Sequence, residues 1–167
     1  MKIASVLLLF LCITFFVSAQ DTTAFVPEGD AKYFDFWEGT WFVIKTDNTL
    51  DSNSYFKIRR SVHPSCFIEE WQSGKGMNSI ALRSWDKTNN KWGFVWISGN
   101  ALFQIWDSKK ANGHWYIYKE FNIKGDTYLS RQGFIPQPDG TVVRISEKSY
   151  DEKKWEIRFQ QRLKKVQ

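Results

Sequence analysis

Two patterns of apolar residues divide the chain. From Ile3 to Val17 they run almost unbroken, through Val6-Leu7-Leu8-Leu9-Phe10-Leu11. From Tyr33 onward they come in short bursts, rich in aromatic and β-branched side chains and closed by turn residues. That is a pattern of strands, and no long stretch has a helical period. Asn89-Asn90, Gly99-Asn100, Asn112-Gly113, Gly125-Asp126, Asp139-Gly140 and Asp151-Glu152 mark turns. They recur about every 10–14 residues, a spacing that fits hairpins. Asn112-Gly113 is the strongest of them, since both residues tolerate the positive φ of a type I′ turn. Pro136-Gln137-Pro138-Asp139-Gly140 cannot be a central strand, because its prolines supply no ladder donors.

The bursts predict about nine or ten strands, near residues 40–46, 54–62, 66–72, 77–85, 91–98, 102–107, 114–121, 127–135, 141–149 and 155–163. Alternation is clearest in the last. Trp155, Ile157, Phe159 and Leu163 are expected on its dry face, and Glu156, Arg158, Gln160 and Arg162 on its wet one. Antiparallel strands joined in sequence form a meander, and closure of a long meander removes its exposed edges. The expected fold is all-β: a single antiparallel up-and-down barrel of about eight to ten strands, with a two-sheet sandwich as the alternative. No linker or second domain interrupts it.

The first apolar run has a different meaning. Met1-Lys2 supplies a positive start, and Val17-Ser18-Ala19 supplies small residues at its exit. That order predicts a secretory signal peptide over residues 1–19, cleaved after Ala19 or Gln20. The run is about 15 residues, short of the roughly 20 that span a bilayer, so no stable membrane anchor is expected. Cys12 lies inside the run, without the small residue that precedes a lipid-carrying cysteine. Residues 20–32 read as an extended lead-in with a turn at Pro27-Glu28-Gly29, and 33–167 as the barrel. The expected location is periplasmic or extracellular.

Removing 19 of the 167 residues leaves 148, enough for one domain to close a core without a disulfide. Cys66 is then the one remaining cysteine, and its apolar neighbours predict that it is buried and inert. The net charge of +5 becomes +4 once Lys2 is gone. Most of the cations near the C-terminus alternate with apolar residues, as on a solvated strand face. This alternation, together with export, argues against nucleic acid as a partner.

The segment Tyr33-Phe34-Asp35-Phe36-Trp37-Glu38-Gly39-Thr40-Trp41 resembles the opening, roughly FDFW-x-G-x-W, of a bacterial family of exported, uncharacterised lipocalin-like (calycin-type) proteins. The likeness continues through Glu69-Glu70-Trp71, Trp85-Asp86, Trp92-Gly93-Phe94-Val95-Trp96, Arg131, the stretch from Asp139 to Arg144, Glu147, Ser149 and Trp155. It implies a calycin-like barrel and no particular activity, since a fold does not fix a function. In lipocalin-like barrels a Gly-x-Trp on the first strand lays an indole across the closed end, often under a cation from the last strand. The resemblance therefore implies that Arg158 or Arg162 packs on Trp41 or Trp37. Some related small barrels bind haem through a histidine near the C-terminus, but here none follows His114.

Nine tryptophans can fill a core, line a cavity or form a surface platform for sugars. Trp92, Phe94 and Trp96 share one strand face, Gln104 and Trp106 another, and Tyr116 and Tyr118 a third. Turned inward, these faces make an aromatic-lined pocket with polar handles. Adjacent strand residues point opposite ways, so either Glu69 or Glu70 faces inward, and a buried charge needs a partner. Arg131 or Arg144 is the expected partner of Glu69. The candidate ligand-binding residues are therefore Glu69, Trp71, Trp92, Trp96, Gln104, Trp106, Tyr116, Tyr118, Arg131 and Glu147.

Catalytic signatures are thin. The mature chain holds His63 and His114 as its only histidines, both beside predicted turns. It has no metal-ligand spacing, nucleophile elbow or phosphate loop, so no metal and no cofactor are expected. Three readings follow. The first is a barrel binding a small apolar or amphipathic ligand. The second is a carbohydrate-binding module using exposed tryptophans. The third is a hydrolase or isomerase working through Glu69, Arg131 and Glu147.

Overall fold

The computed structural model describes residues 24–166, so the predicted signal peptide lies outside the described residues. Ten strands follow a short 3-10 helix at Gly29–Lys32: β1 (Gly39–Ile44), β2 (Leu50–Arg60), β3 (Cys66–Gln72), β4 (Ser79–Asp86), β5 (Lys91–Ser98), β6 (Phe103–Ala111), β7 (His114–Ile123), β8 (Asp126–Pro136), β9 (Thr141–Ser149) and β10 (Glu156–Lys165). Each pairs antiparallel with its sequence neighbours, and β1 pairs with β10, so the sheet closes into a ten-stranded up-and-down barrel. Among the described residues no helix is long and apolar enough to cross a membrane.

The turns follow from residue chemistry. Asn112 (φ 51°) and Gly113 (φ 79°) are both left-handed, as a type I′ hairpin between β6 and β7 requires. The β7–β8 turn uses Lys124 (φ 53°) and Gly125 (φ 87°), one residue earlier than Gly125-Asp126.

The two barrel ends differ. At one end the segment before β1 forms a plug. Phe34 and Trp37 drop from it between the strands and lose nearly all contact with solvent, packed with Trp41, Phe67, Trp92 and Leu163. Hydrogen bonds fasten the plug to the wall. The Trp92 Nε1–H donates to the Asp30 carbonyl at 3.1 Å, the Ser65 hydroxyl to the Ala31 carbonyl at 2.6 Å, and the Trp41 Nε1–H to the Trp37 carbonyl at 2.8 Å. The expected lead-in is thus part of the core. Trp92, expected to line a ligand pocket, is instead a piece of this seal.

The cation on Trp41 is Lys165, whose Nζ lies 5.9 Å from the ring. The β1–β10 register places Lys165 directly opposite Trp41. Arg162 pairs with Asp139 outside the barrel and Arg158 reaches Ser130 further along, which corrects the expectation that either arginine packs on this indole.

Three further expectations are corrected by side-chain direction. In β8, Gln132 and Phe134 face the interior, so Arg131 faces out, as does Glu147 directly across from it on β9. In β7, Ile117 and Phe121 face in, so Tyr116 and Tyr118 face out. Tyr116 and Tyr118 are nonetheless buried, because a second layer covers them. Arg131 donates to Glu147 at 2.7 Å, and its guanidinium lies 4.6 Å from the Tyr116 ring and 3.9 Å from the ring of Trp155. In β10, a bulge between Ile157 and Phe159 breaks the strict alternation. Ile157 and Trp155 stay outside, while Phe159 turns to the interior with Arg158.

Gly133 is the floor under Tyr116. A Cβ there would stand 2.7 Å from the Tyr116 ring. Gly133→Ala is expected to displace that ring from its cover and cost about 1–3 kcal/mol. An unchanged urea midpoint would contradict this.

Exposed apolar side chains are concentrated across β4, β5 and β6, where Ile80, Leu82, Ile97, Phe103 and Ile105 face solvent. The inward partners of β4 are Ser79, Ala81 and Arg83. This strand therefore carries its larger aliphatic side chains on the solvent side.

Candidate functional site

Above the plug, the barrel encloses a cavity of about 320 Å³. Eight aromatic rings line it. Phe56 and Trp71 come from β2 and β3, Phe94 and Trp96 from β5, and Trp106 from β6. Phe121, Phe134 and Phe159 close it from β7, β8 and β10. Met77 and Leu102, in loops at the end opposite the plug, rim the opening and are about half exposed. The strands deliver these rings because side chains two residues apart share a face, and closure turns that face inward.

Polar and charged side chains reach this space as well. Glu69 lies at its base, 3% exposed, and accepts from the Arg83 Nε–H at 2.5 Å. Arg83 is 1% exposed and sits among Phe34, Phe94 and Phe134, 4.2, 4.7 and 5.2 Å from their ring centres. It joins the plug to the cavity floor. The partner of Glu69 is therefore Arg83, and neither Arg131 nor Arg144 is in contact with it. Arg131 is separated from Glu69 by the thickness of the wall, so Glu69, Arg131 and Glu147 do not converge on one pocket.

Arg144 projects into the cavity from β9. Its guanidinium donates to the side-chain oxygens of Gln161 at 3.1 Å and Gln132 at 3.2 Å, and lies 4.9 Å from the Phe159 ring and 5.4 Å from that of Phe56. Arg144 is half-buried, with its Nε fully covered. Its burial pushes its pKa down to about 10, with the charge of Glu69 acting in the other direction. Gln104, which accepts from the Trp106 indole at 3.1 Å, supplies a neutral handle nearer the opening. Arg158 lines the same space and donates to the Ser130 hydroxyl at 3.2 Å.

Of the expected site residues, the barrel brings Glu69, Trp71, Trp96, Gln104 and Trp106 to the cavity. It places Trp92 in the plug and Tyr116, Tyr118, Arg131 and Glu147 on the outer wall. Sequence reasoning missed Phe56, Arg83, Gln132 and Phe134, and it named Arg144 only as a partner for Glu69 and Arg158 only as a cation for Trp41 or Trp37. A signal existed in β2, where Phe56 and Ile58 alternate with Lys57 and Arg59. Five of the nine tryptophans are buried and the other four, Trp71, Trp85, Trp96 and Trp155, are half-buried. No group of three or more His, Cys, Asp and Glu among the described residues could hold a metal ion. Cys66 is free and buried, and the His63 ring meets the Ser84 hydroxyl at 3.0 Å.

No family model matches the chain, and comparison with the curated proteins finds no relative.

Proposed function

We propose that this protein binds a small, partly apolar molecule inside its barrel, and that it does so outside the cytoplasm after removal of residues 1–19. The observation that carries this reading is the cavity, whose volume of about 320 Å³ lies at the small end of the range for ligand pockets. Its wall is rich in aromatic rings with polar groups set among them, a composition that suits a small-molecule site. The resemblance to exported lipocalin-like proteins points the same way. Bound rings would stack against Trp96, Trp106 or Phe121, and Gln104 and Gln132 would orient polar substituents.

The test is native mass spectrometry of protein purified without refolding. A reproducible added mass that disappears on denaturation is the expected result. Ala81 lines the cavity, so Ala81→Phe is expected to fill part of it and abolish the added mass while the protein stays folded. An adduct unaffected by Ala81→Phe would place the ligand elsewhere and overturn the reading.

A further inference from the structure

The charges on the inner wall do not balance. Glu69 is the one carboxylate lining the cavity, and Arg83 already occupies it. Arg144 then remains as an enclosed guanidinium whose hydrogen-bond partners are two neutral amides. Its Nε–H finds no acceptor among the described residues, although that atom is fully buried. An enclosed charge without a counter-charge is costly, and neutral amides and ring faces offset only part of that cost. A cavity-facing charge of this kind marks a candidate functional site.

The surroundings narrow its role. Arg144 pairs in register with Phe134, whose ring belongs to the plug core, so the guanidinium stands at the deep end of the cavity. The rings of Phe56, Trp71 and Phe159 flank it. Among the enclosed charges, Arg83, Arg144 and Glu69 leave one positive in excess, which a single monoanion neutralises, while Arg158, the other cation lining the cavity, is open to solvent. A guanidinium presents a planar fork of donors that matches a carboxylate in two parallel hydrogen bonds. The space above it, up to the rim at Met77 and Leu102, is lined by aromatic rings with Gln104 and Arg158 as polar groups among them.

We propose that the ligand is a monocarboxylate with an apolar body, entering tail outermost, its carboxylate docked on Arg144 at the bottom of the barrel. This rests on the reading of the cavity as a ligand site and adds the chemical class. Glu69 does not repel the anion because Arg83 holds its charge. Arg158, nearer the opening, adds attraction on the way in.

The test compares acids with their uncharged counterparts: decanoate against decanol, and naphthoate against naphthylmethanol, titrated calorimetrically into the full-length protein at pH 7. In at least one pair the acid is expected to bind about 10- to 100-fold tighter, the range for a charge-assisted hydrogen-bonded pair. Arg144→Met is expected to remove that preference while leaving the alcohol's affinity within about twofold. Arg144→Lys keeps the charge without the fork. It is expected to retain part of the preference, and it serves if the methionine variant fails to fold. Equal affinity of acid and alcohol in the unaltered protein overturns the carboxylate and leaves the pocket standing, as does a preference that survives in both variants. No binding by any of the four compounds overturns the pocket reading and this inference together.

Discussion

Arg83→Leu is expected to destabilise the barrel by about 3–5 kcal/mol, because it strands the Glu69 carboxylate without its partner in the interior. Few single changes elsewhere in the chain should cost as much. The pair is almost inaccessible, and the guanidinium is also caged by three phenylalanine rings that link plug to cavity floor. Glu69→Leu alone should cost a similar amount, since it leaves Arg83 charged and unpaired. The double variant is expected to recover most of the loss, because two apolar side chains of similar bulk have no charge to desolvate. Urea unfolding of the two single variants and the double variant checks this as a cycle. Simple additivity of the two single losses would show that the charges do not depend on each other, contrary to their geometry.

Trp37→Ala is the second large effect, also about 3–5 kcal/mol. The indole is fully buried and touches three rings from different parts of the chain: Trp41 at 5.3 Å, Phe56 at 5.5 Å and Phe134 at 4.8 Å between centres. Its removal opens a void that strands fixed by their own ladders cannot collapse to fill. Domains of this size have a total stability of about 5–15 kcal/mol, so the variant loses a large share of it. Trp155→Ala provides the contrast. That indole lies on the outer wall and rests on Arg131, so its loss should cost much less. A Trp37→Ala midpoint no lower than that of Trp155→Ala would mean that the plug contributes little to the fold.

The architecture was readable because turns and strands use local chemistry. Asn112-Gly113 can do little but reverse the chain, and all ten bursts became strands within a few residues of their expected bounds. The site was only partly readable, for reasons located in particular strands. In β4 the aliphatic Ile80 and Leu82 face solvent while Ala81 and Arg83 face in, so hydrophobicity points to the wrong face. In β7 the run from Trp115 to Tyr118 is buried on both sides, because the layer of Arg131 and Trp155 covers the outer one. Period-two reasoning cannot choose between two dry faces. In β10 one extra residue at the bulge moves Phe159 and Arg158 to the cavity, a shift that depends on the partner strand and not on the local sequence. The partner of Glu69 is fourteen residues away on the adjacent strand, and the arginines considered for it lay on the far side of the barrel.

The seam between β1 and β10 has a consequence for the order of assembly. Every other strand pairing joins chain neighbours and can form by zipping from a turn, whereas the seam brings together opposite ends of the domain. Loop-closure entropy grows as the logarithm of length, so joining these ends costs about 3 kcal/mol more than closing a hairpin turn. The nine hairpins can therefore form first as an open, curling sheet, with Val43–Leu163 pairing among the last contacts made. Until then β1 and β10 are both unpaired edges, and a β10 that meets the β1 of another molecule finds the same hydrogen-bond pattern as its own. At high concentration during refolding, that choice sets the balance between a closed monomer and strand-exchanged chains of barrels.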